Sequence, residues 1–196
     1  SVRRLGYVRD NFTKPEVIAM LPGSSAIGHN RYSTSGNKGQ TAIRDVQPLY
    51  VEFSMGGCAI AHNGNLTNAD ALRKELITGG SIFQSSSDTE CIVHLMAKSI
   101  QKDIPERMKD ALRRVEGAFS IIAMTRTKMI GVRDPLGVRP LMLGKLNDSW
   151  FLASETCALD IVGAEFVREV EPGEMVIITK DGVKSEHPFR KDVSKF

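Results

Sequence analysis

Three short segments carry side chains whose types and spacing suit chemistry on an amide or on an amino acid. In Gly28-His29-Asn30-Arg31-Tyr32-Ser33-Thr34-Ser35-Gly36, a strand-like run passes into a loop of hydroxyls and glycine with one arginine at its start. A planar guanidinium donates two parallel hydrogen bonds to a carboxylate, and Thr34 adds a hydroxyl. A surface arginine in a turn accounts for the same residues. In Ala61-His62-Asn63-Gly64-Asn65, the Asn-Gly pair is a turn signal between a strand and a helix. It is also a pair of donors, one side-chain amide and one backbone N–H. Two such donors converging on one oxygen form an oxyanion hole for acyl transfer. In Ser86-Ser87-Asp88-Thr89-Glu90, the serine and aspartate suit a helix cap. An aspartate there also has the charge to hold an ammonium group, so that Arg31 and Asp88 would grip the two ends of a free α-amino acid. The residues alone leave each pair of readings open.

No nucleophile stands out. Cys58 is flanked by apolar strand residues, Cys91 falls on an apolar helix face, and Cys157 precedes an apolar stretch. Cys58 and His62 share a strand face but lie roughly 13 Å apart along it, beyond hydrogen-bond reach. Ser1 would serve only as a true mature N-terminus. Three widely spaced cysteines and four scattered histidines make neither a disulfide framework nor a metal site.

Several elements must position these residues. Apolar periodicity predicts helices over Leu66 to Ile77, Asp88 to Ile100 and Pro105 to Val115, with a shorter one over Lys14 to Leu21. Strands are expected at Ser25 to Tyr32, Gly57 to His62, Ala118 to Thr125, Lys128 to Arg133, Leu141 to Leu146, Trp150 to Ser154, Phe166 to Val170 and Glu174 to Thr179. Asp181-Gly182 signals a hairpin. Helices cluster in the middle and strands crowd the second half, which favours antiparallel sheets with segregated helices, an α+β class. The segment from Lys184 turns polar and reads as a linker.

The chain's 196 residues fit one domain. With 41% hydrophobic and 25% charged residues it has an ordinary globular composition. A net charge of +3 with 6% aromatics gives no basic, aromatic-laced stripe for nucleic acid. No apolar run approaches the roughly 18 residues of a membrane span. These features point to a soluble, cytoplasmic domain with no nucleic-acid or membrane partner.

Taken in order, GHNRYSTSG, IAHNGNLTNA, ELITGGSIFQSSSDTE, VEGAFSIIAMT, GVRDPLGVRPLMLG and LASETCALDIVGAEFVREVEPGEM resemble the glutaminase domain of the glutamine phosphoribosylpyrophosphate amidotransferase family. The resemblance runs from about Arg4 to about Ile178. It implies a class II, N-terminal-nucleophile amidotransferase with a four-layer αββα sandwich of two antiparallel sheets. Arg31 would bind the glutamine α-carboxylate with Thr34 in the same loop, Asn63 and Gly64 would form the oxyanion hole, and Asp88 would hold the α-amino group. Residues 1–183 would be the glutaminase domain, short of its N-terminal part, and residues 184–196 a linker toward a phosphoribosyltransferase domain.

The family's mature chain begins with the nucleophilic cysteine, which this sequence does not contain, so the 196 residues by themselves are expected not to hydrolyse glutamine. The resemblance implies glutamine as substrate, the phosphoribosyltransferase domain as partner and assembly as a homo-oligomer. It implies no cofactor in this chain, with Mg²⁺, and in one subgroup an iron–sulfur cluster, elsewhere in the full enzyme. Two other readings stand beside it: the glutaminase domain of a glucosamine-6-phosphate synthase-like enzyme, and a non-catalytic binding module.

Overall fold

The structure, a computed structural model, describes residues 1–30 and 43–189. Two short helices open it, α1 (Val8–Asn11) and α2 (Pro15–Ala19), and a 3-10 turn at Ile43–Asp45 leads into the sheets. Strands β1 (Leu49–Phe53) and β2 (Gly56–Leu66) come first, followed by helices α3 (Ala69–Thr78), α4 (Thr89–Lys98) and α5 (Ile104–Leu112). The second half holds β3 (Gly117–Thr125), β4 (Met129–Arg133), β5 (Met142–Leu146), β6 (Ser149–Ala153), α6 (Thr156–Val162), β7 (Glu165–Glu169), β8 (Met175–Thr179) and β9 (Gly182–Glu186).

The strands form two antiparallel sheets. One has six strands in the order β1-β2-β3-β4-β8-β9, and the other three in the order β6-β5-β7. Period-two alternation divides the large sheet's side chains between two cores. Cys58, Ile60, Ile121, Ala123, Ile130, Val132, Met175 and Ile177 face α3, α4 and α5, meeting Leu72, Leu76, Ile92, Met96, Met108 and Leu112. Ile122, Val176, Ile178 and Val183 face the small sheet, where Leu141, Leu143, Trp150, Leu152 and Val170 pack against them. Helix α6 covers the outer side of the small sheet. It presses Leu159 so closely on β5 that a Cβ on Gly144 would lie 2.6 Å from the leucine. The layers are therefore helix, sheet, sheet, helix, the α+β sandwich expected from the sequence.

Local chemistry explains the element ends. Asp103 accepts the Glu106 N–H at 3.0 Å and caps α5, with Pro105 in the first turn where its missing N–H costs nothing. After α4, the Arg107 guanidinium binds the Met96 carbonyl at 3.2 Å and the Gln101 carbonyl at 2.8 Å, which closes the α4–α5 corner. Gly79 and Gly80 stop α3, as their sequence suggests.

Several expectations change. No strand forms over Ser25 to Asn30, and the expected strand's last two residues, Arg31 and Tyr32, lie outside the described residues. Instead of strand pairing, His29 makes a side-chain bond to the His62 carbonyl. The linker reading from Lys184 is corrected over its first residues. Strand β9 continues to Glu186, pairing Met175 with Glu186 and Ile177 with Lys184, and Phe189 is buried in the helix-side core. The polar residues there belong to an edge strand, where charge is compatible with pairing on one side. Residues 190–196 lie outside the described set.

One buried carboxylate ties the sheet ends together. Glu174 is inaccessible to solvent and accepts two hydrogen bonds from Arg168, at 2.6 and 2.8 Å, one from Ser185 Oγ and one from the Glu171 N–H. Burial alone would raise its carboxyl, but these donors overcome it and hold the group at about 2, below the ordinary 4.5. The folded state therefore favours the ionised form. That contribution to stability is complete above pH 4.5 and drains away as pH falls toward 2. Denaturant unfolding followed across this window should show the loss, and Glu174→Gln should flatten the profile there while lowering stability at neutral pH by about 3–5 kcal/mol.

Candidate active site

The candidate site lies on one edge of β2. Strand β1 pairs with β2 only as far as Leu49 opposite Ile60, whereas β3 pairs with β2 through to Leu66. From Ala61 onward, therefore, the β1-side edge of β2 has no strand of β1 beside it, and side chains take that place. Gln47 Oε1 accepts the His62 N–H at 2.7 Å, and Gln47 Nε2 donates back to the His62 carbonyl at 3.3 Å. His29 Nε2 donates to the same carbonyl at 3.2 Å. Asp88 Oδ2 accepts the Leu66 N–H at 3.0 Å. Because backbone groups alternate along a strand, the Gly64 N–H points to this same edge, between the positions held by Gln47 and Asp88.

Gly64 is fixed as glycine by its surroundings. Its φ is +155°, and a Cβ there would lie 2.1 Å from the Ala118 carbonyl oxygen on β3 and 2.8 Å from His62 Nε2. Asn63 precedes it, half-buried, on the sheet face opposite His62. A side-chain amide and a backbone N–H thus belong to adjoining residues of β2. The Asn-Gly pair, which the sequence leaves open as a turn or a donor pair, lies inside the strand and is not a turn.

Asp88 reaches the edge from another element. It occupies the cap position of α4, yet its carboxylate makes no capping bond to its own helix. Ser87 Oγ accepts the Thr89 N–H instead, at 3.3 Å. The expectation that Ser87 or Asp88 caps the helix therefore resolves to Ser87, and Asp88 is released toward β2. Burial works to raise its carboxyl, but the interactions with His62, the Leu66 N–H and the Thr89 N–H outweigh it and hold the group below the ordinary 3.8. Asp88 is an anion at neutral pH.

The loop before Asp88 is clamped by side chains that the sequence analysis does not single out as functional. Glu90 accepts the Gln84 and Ser85 N–H groups, each at 2.7 Å, and the Ser85 hydroxyl at 2.6 Å. Asp45 accepts the Ser86 N–H at 2.7 Å. The Arg73 guanidinium binds the Ser85 and Ser87 carbonyls at 3.1 and 2.9 Å and lies over the Phe83 ring. Ser87 and Glu90 have the spacing of a capping box, the one signal in the sequence that marks Glu90 as a backbone anchor.

Among the candidate residues, the structure places Gly64 and Asp88 along the β1-side edge of β2, with Asn63 at the adjoining position and its side chain on the face opposite His62. Arg31 and Thr34 lie outside the described residues. The cysteines are elsewhere. Cys58 is fully buried six residues before Gly64, roughly 20 Å away along the strand, and burial pushes its thiol up to about 12. The Cys91 thiol is also raised by burial, and Cys157 lies exposed beside Glu155, whose hydrogen bond raises its thiol too. None has the lowered thiol of an activated nucleophile. Among the described residues, no group of three or more His, Cys, Asp or Glu is placed to hold a metal, and no helix is long and apolar enough to cross a membrane.

The fold is a helix–sheet–sheet–helix sandwich of antiparallel strands, with an acidic group of α4 brought to the edge of β2. Residues 29–160 match the glutamine amidotransferase domain family, a span that contains Arg31, Thr34, Asn63, Gly64 and Asp88. The chain belongs to that family. It is 52% identical over 182 residues to an amidophosphoribosyltransferase of Rhizobium etli, covering 92% of this chain and 36% of the relative. It is 46% identical over 182 residues to the amidophosphoribosyltransferase of Bacillus subtilis, covering 92% of this chain and 37% of that one. The solved structure of the glutamine phosphoribosylpyrophosphate amidotransferase from B. subtilis, in complex with ADP and GMP, superposes with a TM-score of 0.76 at 46% identity. That match covers 82% of this chain and 34% of the solved one. The chain thus spans about a third of the length of the relatives it matches.

Proposed function

We propose that this chain is the glutaminase portion of a cytoplasmic amidophosphoribosyltransferase, the enzyme that makes phosphoribosylamine in the first step of purine biosynthesis. Arg31 takes the α-carboxylate of glutamine with Thr34 beside it, and Asp88 takes the α-ammonium. The side-chain amide then extends along the open edge of β2 to Asn63 and Gly64. The observation that carries this reading is the reach of the Asp88 carboxylate from the start of α4 across to the Leu66 N–H on β2, two residues beyond Gly64.

The nucleophile in this reading is the family's N-terminal cysteine, its proton taken by the α-amine. The thiolate adds to the amide carbon, and the developing oxyanion accepts from the Asn63 side chain and the Gly64 N–H. The C–N bond breaks, and ammonia departs with the proton held by the amine. Water then cleaves the thioester to glutamate. Ammonia passes to phosphoribosyl pyrophosphate in the phosphoribosyltransferase domain of the same polypeptide and displaces pyrophosphate. Mg²⁺, and an iron–sulfur cluster in the subgroup that carries one, belong with that domain, and no step on this chain's residues runs through them. The relatives' shared name favours phosphoribosyl pyrophosphate over a sugar phosphate as acceptor. The full enzyme acts as a homo-oligomer.

The experiment is Arg31→Lys in the full-length enzyme. A point charge replaces a two-pronged donor, so the KM for glutamine should rise about tenfold or more while ammonia-dependent synthesis persists. An equal fall in both activities would make Arg31 structural and remove the reading.

A further inference from the structure

His62 adjoins Asn63 in sequence, but its ring lies on the other face of the sheet, and no role assigned above uses it. The side chain is 1% exposed. Its Nδ1 lies 3.2 Å from Thr89 Oγ1 and 3.6 Å from Asp88 Oδ1. Its Nε2 is buried with no hydrogen-bond partner among the described residues, on the side where a Cβ of Gly64 would meet it. The ring thus fills the space between the Gly64 backbone and the first turn of α4.

The neighbours select one tautomer. With the proton on Nδ1, the N–H faces the Thr89 hydroxyl oxygen and the Asp88 carboxylate, both of which accept. With the proton on Nε2, a bare Nδ1 lone pair would face that carboxylate, and the N–H would be buried with no acceptor among the described residues. The Leu66 and Thr89 N–H groups bind the Asp88 carboxylate from the backbone. The imidazole Nδ1, 3.6 Å from Oδ1, meets its other oxygen from the strand side.

We propose that His62 is a positioning residue which, as the Nδ1–H tautomer, holds the Asp88 carboxylate and the start of α4 in register with Gly64. The two groups sit on separate elements, β2 and the α4 N-terminus, and must keep a fixed separation to engage the two ends of one glutamine. His62 sets that separation. A buried ring that served only to fill space would act through its shape, and a phenyl ring would replace it. The inference rests on the reading of Asp88 as the ammonium partner.

The test is a double-mutant cycle in the full-length enzyme, with KM for glutamine, kcat and ammonia-dependent synthesis measured for each variant. His62→Phe should raise the KM for glutamine about tenfold with a smaller change in kcat, and in an Asp88→Asn background it should add less than about twofold. His62→Asn, whose amide nitrogen sits where Nδ1 was, should stay within about threefold of the parent KM. Ammonia-dependent synthesis should persist in every variant. If the Phe variant does not fold, the Asn variant decides, and a KM raised tenfold in it overturns the proposal. The proposal is equally overturned if His62→Phe is neutral while Asp88→Asn is severe, or if the two effects multiply. If Asp88→Asn leaves the KM unchanged, the ammonium reading of Asp88 falls first and takes this inference with it.

Discussion

Gly64→Ala in the full-length enzyme should cut glutamine-dependent turnover by about 10²–10³-fold, the range seen when one oxyanion donor is lost. The added methyl has no room, since its carbon would lie 2.1 Å from the Ala118 carbonyl oxygen of the paired strand. A φ of +155° is also one that alanine avoids. The backbone must therefore turn, and its N–H turns with it. Ammonia-dependent synthesis should be retained, because the phosphoribosyltransferase chemistry does not use this edge. Parallel assays with glutamine and with ammonia check the prediction. Equal loss in both would mean that the substitution had unfolded the sandwich.

Asn63→Ala should act on the same step from the side-chain partner. We expect kcat for glutamine to fall by about 10²-fold with the KM moving by no more than about threefold, the pattern of a bond made only as charge develops. Asn63 faces the small-sheet side and is half-buried, so the deletion leaves the helix-side core intact. Because both donors serve one oxyanion, the double variant with Gly64→Ala should be little slower than the worse single variant. Steady-state kinetics on the set of three checks this, and a KM effect equal to the kcat effect would assign Asn63 to ground-state binding.

The parts of the fold that are legible in the sequence are those with a strong one-sided pattern. Helices α3, α4 and α5 each carry a stripe of residues such as Leu72 and Leu76, Ile92 and Met96, or Met108 and Leu112, and all of these are buried. Helix α6 has no such stripe. Only Leu159 is buried there, while Ile161 and Val162 are exposed, so seven residues give no period to read. Strand β1 has a readable alternation in Leu49, Val51 and Phe53, but it is a five-residue strand between a Pro and a turn. Strand β9 is hidden by its charge, since Lys184 and Glu186 sit on a sheet edge where charge is tolerated.

At the site, the residues with a chemical signature are legible and their supports are not. Asn63, Gly64 and Asp88 stand out by type. Gln47, Asp45, Arg73 and Glu90 act through backbone groups of segments up to 41 residues away, and no local pattern announces such pairing. Asp88 also reads as a helix cap, because the competition it loses to Ser87 is decided by how β2 and α4 pack.

The most direct measurement is a crystal structure of the full-length enzyme treated with a glutamine analogue that bonds covalently to the nucleophile and leaves an oxygen at the former amide carbonyl. That oxygen should lie about 2.7–3.1 Å from both the Gly64 nitrogen and the Asn63 side-chain nitrogen, with the analogue's amine on Asp88. An oxygen directed away from residues 63 and 64, or an amine that meets a different acid, would contradict the assignment of this strand edge as the place where glutamine is cleaved.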